Sequence, residues 1–239
     1  MEYRVITTKL PKRNEKPYIE STFEPFAVAT DEIELSLEAL SSCYERFRRY
    51  SSHTPKSLMV RVSLSGLPQG IESGTDHLNQ WLLLMQMRVN SWVGENETSK
   101  PSCKLTAFSK LEDQVLGGPC FRVAVLFNLA VLGEDNLIAL RQRIEDAVRA
   151  TWSQVTNQEL EEGQRFVTIN DHQNFIILDK QTEQGQFNRR VAFKYLSQLT
   201  ELNVRGRFVQ RSTFQTHRTR LNSSSTRTYP KPIWLKISQ

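Results

Sequence analysis

Hydrophobic and polar positions follow two periods along the chain. Between Ser57 and Ser65, Leu58, Val60, Val62 and Leu64 alternate with Met59, Arg61 and Ser63. That period of two predicts a half-buried strand, closed by Gly66 and Pro68. Residues 104–128 predict a hairpin: Leu105 and Ala107 alternate with polar partners, Gly117-Gly118-Pro119 breaks the chain, and Phe121 to Phe127 is apolar apart from Arg122. So continuous a run belongs at the centre of a sheet covered on both faces.

Helical spacing marks four further stretches. Thr30 or Asp31 caps a helix running to about Tyr50, with Ile33, Leu37, Leu40, Tyr44 and Phe47 on one face. Asp76 to Val93 presents Leu78, Trp81, Leu82, Met85, Val89 and Trp92, and Asp135 to Trp152 presents Leu137, Leu140, Ile144, Val148 and Trp152. Phe187 to Leu199 carries Phe187, Val191 and Tyr195, with Phe193 and Leu196 beside them. Short strands are expected at 166–169 and 174–178, and weaker ones at 2–8, 206–213 and 233–237. Strand, helix, hairpin and helix in succession suit an α+β fold in which helices cover an antiparallel sheet, the RRM-like or ferredoxin-like class. The expected division is an N-terminal arm and helix over 1–56, the α+β domain over 57–213, and a basic tail over 214–239.

Composition sharpens this picture. With 239 residues and 38% hydrophobic content, the chain is long enough for one core of ordinary size. No window approaches the roughly 18 apolar residues of a membrane span, and Met1 to Lys16 lacks the apolar centre of a leader. The expectation is a cytoplasmic protein with no membrane partner. Cys43, Cys103 and Cys120 lack metal-ligand spacing and suit a reducing compartment. The formal charge of +5 is uneven, because residues 185–239 hold eleven Lys and Arg against Glu201 alone. Arginine forks match phosphate oxygens, so Arg189, Arg190, Lys194, Arg205, Arg207 and Arg211, with Arg61 and Arg122 from the predicted sheet, are the candidate nucleic-acid contacts. The alternative is a solvated tail.

Four segments carry a resemblance. They are Thr106 to Glu112, the strand Cys120-Phe121-Arg122-Val123-Ala124-Val125-Leu126-Phe127-Asn128, the helix containing Arg141-Gln142-Arg143-Ile144, and Phe193-Lys194-Tyr195-Leu196-Ser197-Gln198. Together, over roughly 57–213, they resemble the inovirus-type gene II replication proteins and their prophage relatives, the YagK/YfjJ C-terminal domain. That family is a branch of the HUH-type enzymes that nick DNA in rolling-circle replication. The resemblance implies a replication-initiator core in which a His-x-His strand holds Mg²⁺ or Mn²⁺ against a DNA phosphate and a helical tyrosine attacks the phosphorus.

Here the two histidine positions hold Cys120 and Arg122, and the lysine after the tyrosine is Gln198. Arg122 cannot ligate a metal, although it can hold a phosphate in the metal's place or pair with Glu112; Cys120 is a poor partner for hard cations. Glu112 remains a possible ligand and Tyr195 keeps the nucleophile position. The four histidines, His53, His77, His172 and His217, have no partner at metal-binding spacing. The resulting expectation is a DNA-binding protein of a prophage or mobile element, contacting single-stranded or replication-origin DNA, with a degenerate metal site, no cofactor and no nicking activity. Two alternatives stand beside it. One is an active initiator that nicks through Tyr195 with a divalent metal; the other is a regulatory module that binds a phage or host protein.

Overall fold

The computed structural model describes residues 3–9, 16–30, 33–67, 75–94, 103–114, 118–133, 136–159, 165–169, 174–205, 208–210 and 215–221. Its elements in chain order begin with β1 (Tyr3–Lys9), the two-residue strands β2 (Pro17–Tyr18), β3 (Thr22–Phe23), β4 (Phe26–Ala27) and β5 (Leu35–Ser36), then α1 (Leu37–His53) and β6 (Lys56–Leu64). There follow α2 (Thr75–Gly94), β7 (Thr106–Gln114), β8 (Gly118–Asn128), α3 (Leu129–Leu132), α4 (Leu137–Thr156), β9 (Val167–Thr168) and β10 (Phe175–Asp179). The last are α5 (Glu183–Gln198), β11 (Asn203–Arg205), β12 (Phe208–Gln210) and β13 (Gln215–Leu221).

The architecture is α+β. Strands β1-β13-β7-β8-β6-β10 lie side by side in that order, with β9 also on β6, and every ladder is antiparallel. Successive side chains of a strand point to opposite faces, and β8 uses both. Phe121, Val123, Val125 and Phe127 join the core under α2 and α4, whereas Ala124 and Leu126 join a second core under α1 and α5. The first core holds Trp81 and Trp152 edge to face, ring centres 6.5 Å apart. In the second, Phe193 meets Phe26, Tyr44 and Phe47. The central, doubly covered hairpin expected from the apolar run of β8 is therefore present.

Several boundaries differ from expectation for local reasons. α1 starts at Leu37 and not near Asp31, because Ser36 Oγ caps the Ala39 N–H and the preceding Leu35–Ser36 pairs with β2. α5 starts at Glu183, four residues early, with Thr182 Oγ1 accepting from the Gly185 N–H at 3.0 Å. The earlier start goes with a different inward face: Ala192, Phe193 and Leu196 are buried, while Phe187 is 58% exposed. The arm over 16–30 is not an isolated extension; its aromatic residues pack on α1 and α5, and the Ala29 N–H reaches Ser197 Oγ.

The largest correction concerns the expected tail, since residues 215–221 form a strand inside the main sheet. β13 pairs with β7 on one side and β1 on the other. Its burial is polar: Thr216, His217 and Thr219 are at most 2% exposed. Thr219 and Gln86 of α2 both hydrogen-bond Leu105, and Gln86 also reaches the Cys103 carbonyl. The weak strand expected at 233–237 lies outside the described residues.

Candidate functional site

β6 places Met59, Arg61 and Ser63 on the face toward α5, and β8 places Arg122 on the same face. Register sets Ser63 and Lys110 on either side of Arg122, and Arg61 opposite Ala124. Arg61 and Arg122 are thus diagonal neighbours, a backbone separation of about 7–8 Å. Above them α5 lowers Tyr195 and Gln198. Together with Thr168, Asn174 and the backbone around them, these groups line a cleft of about 90 Å³, well below the roughly 300–1,000 Å³ of small-molecule sites. A space that small suits one compact anion.

The Arg61 guanidinium lies 3.8 Å from the centre of the Tyr195 ring, a cation–π contact that holds both side chains. Burial lowers the Arg61 pKa, Tyr195 opposes the shift, and the Arg122 charge adds to it. Arginine nonetheless stays protonated. Arg122 pairs through Nε with Glu112 Oε2 at 2.8 Å and is 56% exposed at its side chain. Glu112 also meets Lys110 Nζ at 3.2 Å, and Lys110, buried to 2%, pairs with Glu201 as well. Cation and carboxylate therefore alternate from the open Arg122 inward through Glu112 to Lys110, and out again to Glu201.

Glu112 is spent on two ion pairs and Cys120 is 3% exposed. Burial raises the Cys120 thiol pKa, with the Glu112 charge acting in the same direction. Among the described residues there is no group of three or more His, Cys, Asp or Glu able to hold a metal ion. The described lining of the cleft contains two guanidiniums, a phenol, hydroxyls and amides but no carboxylate or imidazole. Such a set binds an oxyanion through charge and hydrogen bonds. Tyr195 stands in contact with the cation that would face that anion, and the described lining offers it no general base.

The structure brings together Arg61, Arg122 and Tyr195, with Glu112 and Cys120 one step away. Arg189, Arg190 and Lys194 lie on α5; Arg190 and Lys194 lead along one side toward Gln198 at the cleft. Burial lowers the Arg189 pKa. Arg205 belongs to β11, while Arg207 and Arg211 lie outside the described residues, as does His172. Phe121, beside Arg122 in the strand, is 1% exposed and belongs to the core. Sequence reasoning missed Ser63, Thr168 and Asn174, whose type carries no signal, and the pairing of Lys110 with Glu201, which are 91 residues apart.

One further arrangement has the outline of a nucleophile with its base. Ser109 Oγ lies 2.8 Å from His217 Nε2, and His217 Nδ1 lies 3.2 Å from Asn79 Oδ1. Ser109 and His217 are 1% and 0% exposed, so no substrate reaches them, and the trio ties β7 and β13 to α2. No helix among the described residues is long and apolar enough to cross a membrane. No protein-family model, curated protein or solved structure matches the chain.

Proposed function

We propose that the protein binds nucleic acid, seating a backbone phosphate between Arg61 and Arg122 without cleaving it. The observation that carries this reading is the pair of guanidiniums converging on a cleft with no carboxylate in its described lining. The Arg122 charge disfavours the charged Arg61 beside it; Glu112 takes up the Arg122 Nε, and a phosphate accepting from both guanidiniums relieves the repulsion that is left. Arg190 and Lys194 extend the positive path along α5. In the terms of the rolling-circle initiators that the sequence resembles, Arg122 takes the metal's place as a fixed cation, on an RRM-like sheet that keeps phosphate affinity and loses metal chemistry. A prophage or mobile-element protein acting on single-stranded or origin DNA fits this chemistry.

The test is a native gel shift with labelled single-stranded and duplex DNA over a salt series. Affinity falls steeply with salt. Arg61→Ala with Arg122→Ala weakens binding and, on single strands, lowers the salt slope by about 0.7 for each phosphate that is no longer neutralised. A shift indifferent to both substitutions sinks the proposal. A second reading rests on the position of Tyr195 at the cleft: nicking by its hydroxyl with Mg²⁺ or Mn²⁺. A covalent adduct that survives denaturation and vanishes in Tyr195→Phe would establish that reading in place of the first. Stable capture of a phage or host protein, with no DNA affinity, would replace both with a regulatory module.

A further inference from the structure

A larger cleft, about 620 Å³, opens at the other end of the same sheet face. There the last turns of α1 meet the start of β7, the end of β8 and β13. From Arg122 to Asn128 along β8 the distance is about 20 Å, so the two clefts are separate. Arg46, Arg49 and His53 line it from α1, Lys104 and Arg218 from the sheet side, and no Asp or Glu is part of its described lining.

Part of this charge has an ordinary cause. Basic residues near the end of a helix are favoured by the partial negative charge there, and Arg49 has Glu45 at 4.0 Å with both side chains 65% exposed. Lys104 and Arg218 have no such reason to be present. Lys104 is exposed just before β7, and Arg218 stands opposite Thr106 in the ladder, so cations from helix and sheet converge from two sides. A concave wall of one sign focuses its field into the space it encloses. Tyr50 belongs to the same wall. Its hydroxyl is buried beside the Thr54 and Ser57 hydroxyls. Burial raises the phenol pKa, the Cys103 charge acting in the same direction, so the group stays neutral at physiological pH.

We propose that this cleft is a second anion site, which takes two or more neighbouring phosphate groups of a nucleotide or of a nucleic-acid backbone. Its volume falls within the roughly 300–1,000 Å³ of small-molecule sites, and Lys104 and Arg218 from the sheet face Arg49 from α1 across it. Arginine forks match phosphate oxygens in pairs. The assignment stands independently of the Arg61–Arg122 cleft.

The test titrates two probes at constant ionic strength, inorganic tripolyphosphate and a short labelled single-stranded oligonucleotide. The proteins are the parent chain, Arg49→Glu with Lys104→Glu, and Arg61→Ala with Arg122→Ala. The expected result is a loss of roughly tenfold or more in affinity for at least one probe in the Arg49/Lys104 variant, with the milder Lys104→Gln moving the same way. Loss of tripolyphosphate binding identifies a free polyphosphate ligand; loss confined to the oligonucleotide identifies the strand backbone. Unchanged affinity for both probes in the Arg49/Lys104 variant and in Lys104→Gln overturns the second site, even where the Arg61/Arg122 variant fails to bind DNA. Binding lost in the Arg49/Lys104 variant and retained in Arg61/Arg122 upholds this site and overturns the function proposed for the first.

Discussion

Cys103 shows how one buried residue couples the fold to pH. Its thiol is fully enclosed and within 3.9 Å of the Asn128 carbonyl; burial pushes its pKa up to about 11 from 9.0. The unfolded chain loses that proton near pH 9 while the folded chain keeps it. The resulting stabilisation is complete below pH 9 and is lost as pH rises toward 11. Two pH units correspond to at most about 3 kcal/mol. Urea unfolding at pH 7, 9 and 11 should therefore show stability falling over the upper interval, and Cys103→Ala should flatten that fall; an equal decline in both proteins would refute the assignment. Cys43 and Tyr50, also raised by burial, give the remaining slope. Lys110 makes a complementary point at the same scale. It is sequestered between Glu112 and Glu201 and offers a ligand nothing directly.

At the scale of elements, the turn from β10 into α5 decides where Tyr195 stands. A methyl group on Gly185 would lie 2.6 Å from the Asp179 backbone nitrogen, a clash with main chain that cannot swing away. Gly185→Ala should push α5 off the sheet edge and cost about 1–3 kcal/mol, read as a lowered thermal midpoint; an unchanged midpoint would show that the helix accommodates the methyl. Elements whose cores are greasy were readable from sequence: β6, both arms of the hairpin, α2 and α4 follow their hydrophobic periods. β13 was not. Gln215-Thr216-His217-Arg218-Thr219 reads as polar tail, because its inner side is satisfied by hydrogen bonds to Ser109, Gln86 and Leu105 rather than by apolar packing. The candidate cleft was half legible. Arg61, Arg122 and Tyr195 were singled out by charge and by position in a motif, whereas their partners depend on strand register that no local pattern encodes.

For the molecule as a whole, the two faces of one sheet divide the labour: the α2–α4 face is packed mainly by apolar side chains, with buried hydrogen bonds between β13 and α2, and the α1–α5 face leaves charged clefts at either end of its core. The sheet itself depends on β1, which covers β13. Deleting residues 1–10 would bare the β13 backbone along its length, and such edges pair with one another. Light scattering after size exclusion should then show self-association absent from the parent; a monomer with the parent's melting temperature would refute that dependence. The same pairing sets a timetable for synthesis. Tyr3 finds its partner only in Leu221, so an emerging chain carries β1 unmatched until β13 has left the ribosome. Contacts this distant slow folding and prolong exposure of sticky edges. In a growing polypeptide, β1 is thus made before the other described strands of its sheet and paired after them, and for that interval its backbone groups stay open to a neighbour's strand.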